Sequence, residues 1–346
     1  MNFDIAILLT QDGLINGAVY ALLAIGLVLI FTVTRIIFVP QGDFIAFGTL
    51  TLATLQAGTP PLTIWLLIAL GVIAFCLEAN RVMRDGEPRR IFRAAIAYLV
   101  LPGMIAGATL FLAPRQYGMW VQIVLTLAIV TPLGPILYRI VYQPIAQASV
   151  LILLIVSVAI HFVLSGLALV FFGAEGSRTS PLTEARFSVG QITLSGQQVW
   201  VFALSALLIS TLYFFFRYTF HGKTLMATAV NRLGARLMGI SPASTGILVF
   251  TLAAVIGCIS GILIGPFTTI FYDTGFLIGL KGFVAAIVGA LVSYPIAALA
   301  ALMVGILESF SAFYASAYKE VIVFSLIIPI LMLRSMTATH IEEDKE

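Results

Sequence analysis

Ionisable side chains within apolar segments are the first candidates for chemistry in this sequence of 346 residues. Asp43, Lys281 and Glu308 lie in or beside such segments, where charged residues are rare and commonly mark a functional site. Lys281 and Glu308 fall at similar predicted depths, so we expect an ion pair that holds the last spans together. Contact with a translocated solute, as part of a path or gate, is the alternative role for this pair.

Asp43 follows Pro40, Gln41 and Gly42 at the predicted start of a short span. Proline and glycine beside an acid predict an irregular helix start at the inner membrane interface, and irregular backbone at membrane depth requires surrounding protein or a water-filled cavity. Asp43 could cap the helix that follows, or form part of a path or gate together with Gly42. His161 stands alone on an apolar span, and we interpret it as a packed or backbone-bonded histidine rather than a proton relay.

The sequence contains no motif typical of an enzyme. Gly222, Lys223 and Thr224 supply only the ending of the phosphate-binding motif G-x-x-x-x-G-K-[ST], and Arg217 stands where its first glycine should be. Cys76 and Cys258 fall in apolar runs without a disulfide or metal-binding pattern. We therefore predict no catalytic residue, no metal site and no cofactor.

The composition is that of a polytopic, all-α membrane protein. Hydrophobic residues make up 61% of the chain and charged residues 10%, whereas soluble domains are about 25% charged. The net charge of +3 reflects basic residues in loops that set the topology, so a nucleic-acid partner has no support.

About eleven transmembrane helices are expected in a single domain, 1–346. The predicted spans are 13–34, 43–58, 62–80, 92–113, 119–138, 149–172, 198–216, 243–265, 276–293, 296–315 and 318–334. Lysine and arginine are concentrated in the loops on one side, which places the N-terminus outside and the C-terminus in the cytoplasm. The segment 173–198, poor in basic residues, is predicted to be an outside loop.

A basic segment, 217–242, separates two of these spans. Its cations exclude a membrane span, and its apolar residues follow helical spacing from Thr224 to Met238. Gly239 is a predicted helix stop, and Pro242 a predicted start of the next span. We expect one short amphipathic helix in a cytoplasmic loop, which either docks a partner or merely sets the topology.

Several motifs, in order along the chain, resemble one family. GLINGAVYALLAIGLVLIF followed by RII and GDFIAFG, then YRIVYQPI, then RYTFHGKTLMATAVNRLGARLMGIS, and finally GFLIGLKGFVAAIVGALVSYPIAALAALMVGILESFSAFY are similar to LivH-type permeases of branched-chain amino-acid ABC importers. The resemblance covers about 11–58 and 119–334, and includes Lys281 and Glu308.

The resemblance implies an importer subunit in the bacterial inner membrane that translocates a small solute, with neutral aliphatic amino acids as the default. The implied partners are a LivM-like second permease subunit, two cytoplasmic ATPase subunits that hydrolyse ATP, and a periplasmic substrate-binding protein. The residues implied to couple this chain to the ATPases are Gly222, Lys223, Ala229, Asn231, Arg232, Ala235, Gly239 and Ile240.

The sequence departs from the family pattern in three places. Phe38-Val39-Pro40-Gln41 replaces the usual Asn-Phe-Ala-His, and Asn231-Arg232 stands where the family has an acidic pair. Residues 60–115 resemble an inserted helical hairpin, which leaves about nine family-like spans. The alternative function is a self-sufficient ion- or proton-coupled secondary transporter, with Asp43, His161 and Glu308 as relay groups.

Overall fold

The computed structural model describes residues 3–85, 88–189, 192–330 and 332. Its helices, in chain order, are α1 (Phe3–Thr34), α2 (Asp43–Gln56), α3 (Thr63–Asp85), α4 (Pro88–Ala95), α5 (Leu101–Leu112), α6 (Met119–Val130), α7 (Leu133–Leu137), α8 (Val150–Phe172), α9 (Gly196–Tyr218), α10 (Phe220–Val230), α11 (Arg232–Leu237), α12 (Pro242–Ile264), α13 (Thr274–Val288), α14 (Tyr294–Tyr314) and α15 (Lys319–Ser325). Short 3₁₀ turns at Val39–Gln41, Ala113–Arg115 and Ser316–Tyr318, and π-helical turns at Ile96–Val100 and Tyr138–Tyr142, adjoin these helices.

Eight helical stretches in the described part of the chain are long and apolar enough to cross a membrane. They are Asp4–Thr34, Thr63–Met83, Ile91–Arg115, Met119–Tyr142, Val150–Phe172, Gly196–Tyr218, Pro242–Ile264 and Tyr294–Tyr314. The predicted spans near 43–58 and 276–293 correspond to shorter helices, α2 and α13. The polytopic helical class is confirmed, whereas the count of eleven spans and the sidedness stay predictions. The C-terminal tail lies outside the described residues.

Helix α1 runs through the centre of the bundle and packs on α9, α12, α13 and α14. Gln11, near the start of α1, donates a hydrogen bond to the side chain of Gln198 at the start of α9 (2.9 Å). Thr32, near its end, lies 3.4 Å from the hydroxyl of Tyr294 at the start of α14. Helix α14 is therefore antiparallel to α1 and α9 is parallel to it. We call the two ends of the bundle the Gln11 end and the Arg35 end.

Glycines allow the central helices to pack closely. A Cβ atom added to Gly13 would lie 2.6 Å from Ile306 Cα, and one added to Gly305 would lie 2.3 Å from Gly13 O. On α12, Gly257 and Gly261 form a close packing face, because added Cβ atoms would lie 2.7 Å from Phe44 Cβ and 2.3 Å from Ile45 O. Small residues of this kind let helix backbones approach in a membrane, where packing replaces the hydrophobic effect between helices.

The loop at 173–198 contains the exception to an all-α fold. Strands β1 (Arg186–Val189) and β2 (Ile192–Ser195) form an antiparallel hairpin in which Phe187 pairs with Leu194. The hairpin leads directly into α9, whose first turn is capped by the Ser195 side chain. A short two-stranded hairpin contributes little to the periodicity of a sequence, which explains why a plain loop was expected here.

The segment 60–115 folds as two helical arms, α3 and α4–α5, that pack on each other and on α6. Many of its apolar side chains are exposed on the outside of the bundle, including Trp65, Val72, Met104 and Phe111. An ion pair between Glu78 and Arg139 joins α3 to the π-helical turn after α7. In the structure this segment lies against one side of the bundle rather than in its centre.

Candidate functional site

The chain turns back into the bundle after α1. Helix α1 ends where Arg35 adopts a left-handed backbone (φ 62°) and its N–H donates to Phe31 O (2.8 Å). A short irregular segment follows, and the Gln41 side-chain amide donates to Ala253 O (3.0 Å), midway along α12. The predicted broken helix start is thus present. Asp43, however, lies at mid-depth and not at the inner interface, because residues 36–42 re-enter the bundle.

Gly42 is the point at which the re-entrant segment crosses α13. A Cβ atom on Gly42 would lie 2.1 Å from Gly275 O and 3.1 Å from Gly279 Cα. No side chain fits between these backbones, so glycine is required by the close approach alone. The crossing fixes the start of α2 against α13 at mid-depth.

Asp43 and His161 form a buried pair. Nδ1 of His161 lies 2.9 and 3.0 Å from the two carboxylate oxygens of Asp43, and the residues are 5% and 2% exposed, respectively. Phe276 of α13 stacks on the imidazole, with ring centroids 4.3 Å apart and planes at 19°. Of the two roles considered for Asp43, the N-cap role is wrong, since Gly42 occupies the N-cap position and no side chain caps the helix. His161 bonds to a carboxylate and not to the backbone.

The pairing of Asp43 with His161 was not predicted, because 118 residues separate them. The available signal was that each is an ionisable residue in an apolar run, and such residues tend to pair with each other. Within the described residues, no group of three or more His, Cys, Asp or Glu side chains is placed to hold a metal ion.

The predicted ion pair between Lys281 and Glu308 is present. Lys281 Nζ lies 2.5 Å from Glu308 Oε1, and it also donates to Glu320 Oε1 (3.1 Å). The hydroxyl of Tyr20 donates to Glu308 Oε2 (2.6 Å). The Lys281 ammonium group therefore joins α13 to α14 and α15. The hydrogen bond from Tyr20 to Glu308 connects α1 to the same cluster. No local sequence pattern indicated Tyr20 or Glu320 as members of this cluster.

This cluster lines a cavity of about 490 Å³ at the Gln11 end of the bundle. Its walls also include Asp12 and Asn16 of α1 and Phe313 of α14. The cluster is distinct from the Asp43–His161 pair, since no hydrogen bond joins the two groups within the described residues. Of the predicted path residues, Gly42 and Asp43 thus lie where the re-entrant segment meets α13 and α8. Lys281 and Glu308 lie at the cavity of the Gln11 end.

The basic segment 217–242 forms two helices rather than the single helix expected. Helix α10 ends at Asn231, whose backbone is extended (φ −148°, ψ 100°) and whose side chain accepts a bond from Gly234 N (2.8 Å), capping α11. Asparagine competes with the helix by bonding to nearby backbone groups, which explains the break. The predicted stop is confirmed by the positive φ of Gly239 (83°), and Pro242 opens α12 as expected.

Apolar side chains of this segment face away from the bundle. Val230, Leu233, Leu237 and Met238 are 84%, 69%, 80% and 83% exposed. Leu225 instead points into the core. The predicted coupling residues are divided: Gly222 and Ala235 are buried, Ala229, Arg232 and Ile240 are half-buried, and Lys223, Asn231 and Gly239 are exposed.

A wide polar groove adjoins these helices at the Arg35 end. Its volume is about 820 Å³, and Arg35, Arg232 and Arg236 contribute three cations to its walls, opposite the segment 146–150. Helices α1 and α9 end at this side of the bundle, and α12 begins there. The Arg35 end therefore combines the cations of the groove with the exposed apolar surface of α10 and α11.

The comparison with protein families decides the identity of this architecture. Residues 91–331 match the family described as branched-chain amino acid transport system / permease component. The chain belongs to this family. The matched range begins inside the segment 60–115 and includes α10 and α11. It contains His161, Lys281 and Glu308, whereas their partners Asp43 and Tyr20 lie before it.

Curated relatives agree with the family match. The permease is 24% identical to the high-affinity branched-chain amino acid transport system permease protein LivH of Salmonella typhimurium and to LivH of Escherichia coli K12, over 93% of this chain and 91% of each relative. It is 26% identical to the permease protein BraD of Pseudomonas aeruginosa, over 60% of this chain and 70% of that protein. No solved structure is significantly similar to the permease. The permease is a multi-pass inner-membrane protein with a role in amino-acid transport.

Proposed function

We propose that this permease is the membrane-spanning subunit of an ABC importer, and that it translocates branched-chain or other small neutral amino acids with ATP hydrolysed by separate subunits. The observation that carries the proposal is the exposed apolar surface of α10 and α11, which a family of transport permeases would present to its ATPase. An exposed apolar patch at the end of a membrane bundle is a typical protein interaction surface.

The docked ATPase would act on the bundle through the buried side of the same two helices. Leu225 and Thr228 of α10 and Ala235 of α11 are almost fully buried, and α10 packs on α1, α9 and α12. Gly222 lies against the end of α9, where an added Cβ atom would be 2.2 Å from Phe215 O. A displacement of α10 would therefore reach three long helices directly.

The sidedness in this proposal follows from the basic residues. Basic residues are concentrated at the Arg35 end, which we assign to the cytoplasm by the positive-inside rule. They include Arg35, Arg139, Arg217, Lys223 and Arg232. The N-terminus is then outside and the C-terminus cytoplasmic. The β1–β2 hairpin faces the periplasm, where a substrate-binding protein would dock, and a LivM-like subunit would complete the translocation path.

The two buried clusters have separate roles in the path. Gly42 and Asp43 lie at mid-depth, where the irregular backbone requires surrounding protein or a cavity. Lys281 and Glu308 lie in the outer half and hold α13 to α14, so we assign them to an outer gate. Releasing this ion pair would free α13 to move against α1. The segment 60–115 is assigned to the periphery of the bundle.

Capture of the ATPase tests the proposal. Leu237→Glu places a charge in the exposed apolar surface, and we expect the tagged permease to lose the nucleotide-binding subunit when purified from native membranes in mild detergent. Phe187→Glu is the matched control, because Phe187 is a 51% exposed apolar residue of the hairpin at the opposite end. Equal recovery of the ATPase with both variants would contradict docking on α11.

The self-sufficient carrier is tested separately. Asp43 and His161 form the buried pair that a proton-coupled mechanism would use. If the permease alone, in liposomes without any ATPase, accumulated leucine in response to a proton gradient, and Asp43→Asn abolished this accumulation, the carrier would replace the importer as the explanation.

A further inference from the structure

An apolar groove of about 490 Å³ opens on the outside of the bundle between α9 and α14. Ile25 of α1 forms its floor and Leu212 of α9 part of one wall, while Pro295 and Ala298 of α14 form the opposite wall. We propose that this groove binds an acyl chain of an anionic phospholipid, whose phosphate group pairs with Arg217 at the mouth. The site is separate from both buried clusters, and its occupation does not depend on the proposed function.

The groove extends along the helices from the Arg35 end toward the middle of the bundle. Its mouth includes Arg217 in the last turn of α9 and Tyr294 at the start of α14. Ile25 and Ile209, which line its deep part, lie nine residues before the ends of α1 and α9. At a rise of about 1.5 Å per residue this is roughly 14 Å, close to half of the ~30 Å hydrocarbon core. The groove thus has the depth of one lipid leaflet.

The shape of the groove is set within this chain. Helices α9 and α14 both pack on α1, and Phe216 of α9 stacks on Tyr294 of α14 with ring centroids 5.8 Å apart and planes at 28°. Pro295 and Ala298 have short side chains, which leaves space between α14 and the larger residues of α9. An apolar surface without neighbouring atoms loses its dispersion contacts, and a hydrocarbon chain along the groove would restore them.

Arg217 supplies a cation at the mouth of the groove. Its guanidinium donates a hydrogen bond to the Tyr213 hydroxyl and lies 5.8 and 5.5 Å from the ring centroids of Tyr213 and Tyr218. Among the described residues, Arg217 forms no ion pair with a carboxylate. A guanidinium held in one orientation suits bidentate pairing with a phosphate group, so the counter-charge can come from a lipid.

The surroundings of Arg217 are those of a membrane–water interface. Tyr213, Phe214 and Tyr218 are exposed beside it, and exposed aromatic residues are typical of the headgroup level. The Arg35 end is the one that we assign to the cytoplasm, where the leaflet carries anionic lipids that attract basic residues. A phospholipid places its anion and its apolar chain in the order in which Arg217 and the groove follow each other.

A helix of another subunit fits this arrangement less well. The groove runs along the helix axes, whereas a transmembrane helix presents its side chains sideways from its own axis. The groove also reaches Met226 of α10. A bound acyl chain would therefore contact the helix that the ATPase is proposed to displace, and this consequence alone rests on the proposed function.

Native mass spectrometry of the delipidated assembly in detergent tests the site. The probes are phosphatidylglycerol, phosphatidylcholine with the same acyl chains, and glycerol 1-phosphate. We expect phosphatidylglycerol to bind about fivefold more tightly than phosphatidylcholine, the contribution of one basic residue at a membrane surface, and glycerol 1-phosphate not to bind. Equal binding of the two lipids would overturn the proposal. Glycerol 1-phosphate binding as tightly as phosphatidylglycerol would indicate a free-phosphate site and would overturn it as well.

Two pairs of variants assign the bound lipid to the groove. Arg217→Gln should abolish the preference for phosphatidylglycerol, whereas Arg236→Gln, at an exposed arginine of α11 outside the groove, should retain it. Ala298→Trp fills the groove and should remove the tightly bound lipid, whereas Leu299→Trp, at the neighbouring residue that is 64% exposed, should not. Phosphatidylglycerol binding that is unchanged in Arg217→Gln and Ala298→Trp would place the lipid elsewhere and overturn the site.

The other possible occupant gives a different result. If the parent assembly shows no lipid preference, and Ala298→Trp releases a second membrane subunit that Leu299→Trp retains, the groove is a protein interface and the lipid proposal is overturned. The importer proposal fails separately, through the absence of an ATPase from the purified parent assembly. The same lipids are then applied to the permease alone, in which a preference that depends on Arg217 would still support the groove.

Discussion

At the scale of single residues, the ionisable groups inside the bundle are held by specific partners. Asp43 has His161, and Lys281 lies between Glu308 and Glu320. Paired charges are the form in which ionisable groups are tolerated at membrane depth. The pairs differ in what they join: one fixes a re-entrant segment to α8, and the other links α13 to α14 and α15.

Lys281→Met is expected to destabilise the permease by about 3–5 kcal/mol, because it leaves Glu308 buried without its cation. Thermal denaturation in one detergent measures the effect. Lys319→Met is the matched control, because Lys319 is 42% exposed and 3.9 Å from Glu320, so its removal should cost at most ~1 kcal/mol. Adding Glu308→Gln to Lys281→Met should recover stability. Equal melting of Lys281→Met and Lys319→Met would contradict a structural role for the pair.

The Lys281–Glu308 pair could be predicted from the sequence because both residues lie at similar depth in consecutive spans. Tyr20 and His161 were not predicted as partners, because depth along a span does not specify which way a side chain faces. Asp43 was predicted at the wrong depth. The residues between Arg35 and Gly42 are mostly apolar and would suit either a surface turn or a re-entrant segment, and only packing against α12 and α13 decides between them.

At the scale of elements, two interrupted helices define the mechanism that we propose. The start of α2 crosses α13 at mid-depth through a contact that only glycine permits. Asn231 divides the helical part of the basic segment 217–242 into α10 and α11. The first break borders a cavity of about 240 Å³ that His161 also lines. The second places a short helix, α11, at the Arg35 end with its apolar side chains exposed.

Gly42→Ala is expected to push α2 and α13 apart, because the new methyl group would lie 2.1 Å from Gly275 O. Overpacking of this kind costs about 1–3 kcal/mol, so the melting temperature should fall. Gly166→Ala on α8 is the matched control, since an added Cβ atom there meets nothing within 4 Å and alanine favours a helix. A Gly42→Ala variant as stable as Gly166→Ala would contradict the close crossing.

Element boundaries were largely readable from the sequence where chemistry is local. Gly239 and Pro242 mark the helix stop and the next helix start at the end of the basic segment 217–242, as predicted. The break at Asn231 was missed because the apolar spacing continues across it with helical period. The hairpin at 186–195 was missed because two strands of four residues each resemble a polar loop in composition.

At the scale of the whole molecule, the central helix α1 contacts the proposed outer gate, the cavity beside His161 and helix α10. It contributes Tyr20 to the Lys281 cluster and Leu27 to the cavity, and it packs on α10 near the Arg35 end. Eight stretches in the described residues are long and apolar enough to cross a membrane, and the family match identifies a transport permease.

The decisive measurement is leucine uptake into proteoliposomes that contain the permease, its partner subunits and the binding protein. We predict that uptake requires ATP on the side of α10 and α11, and that Leu237→Glu abolishes it while Phe187→Glu does not. Uptake at the same rate without ATP, or an undiminished rate with Leu237→Glu, would contradict transport driven by an ATPase docked on these helices.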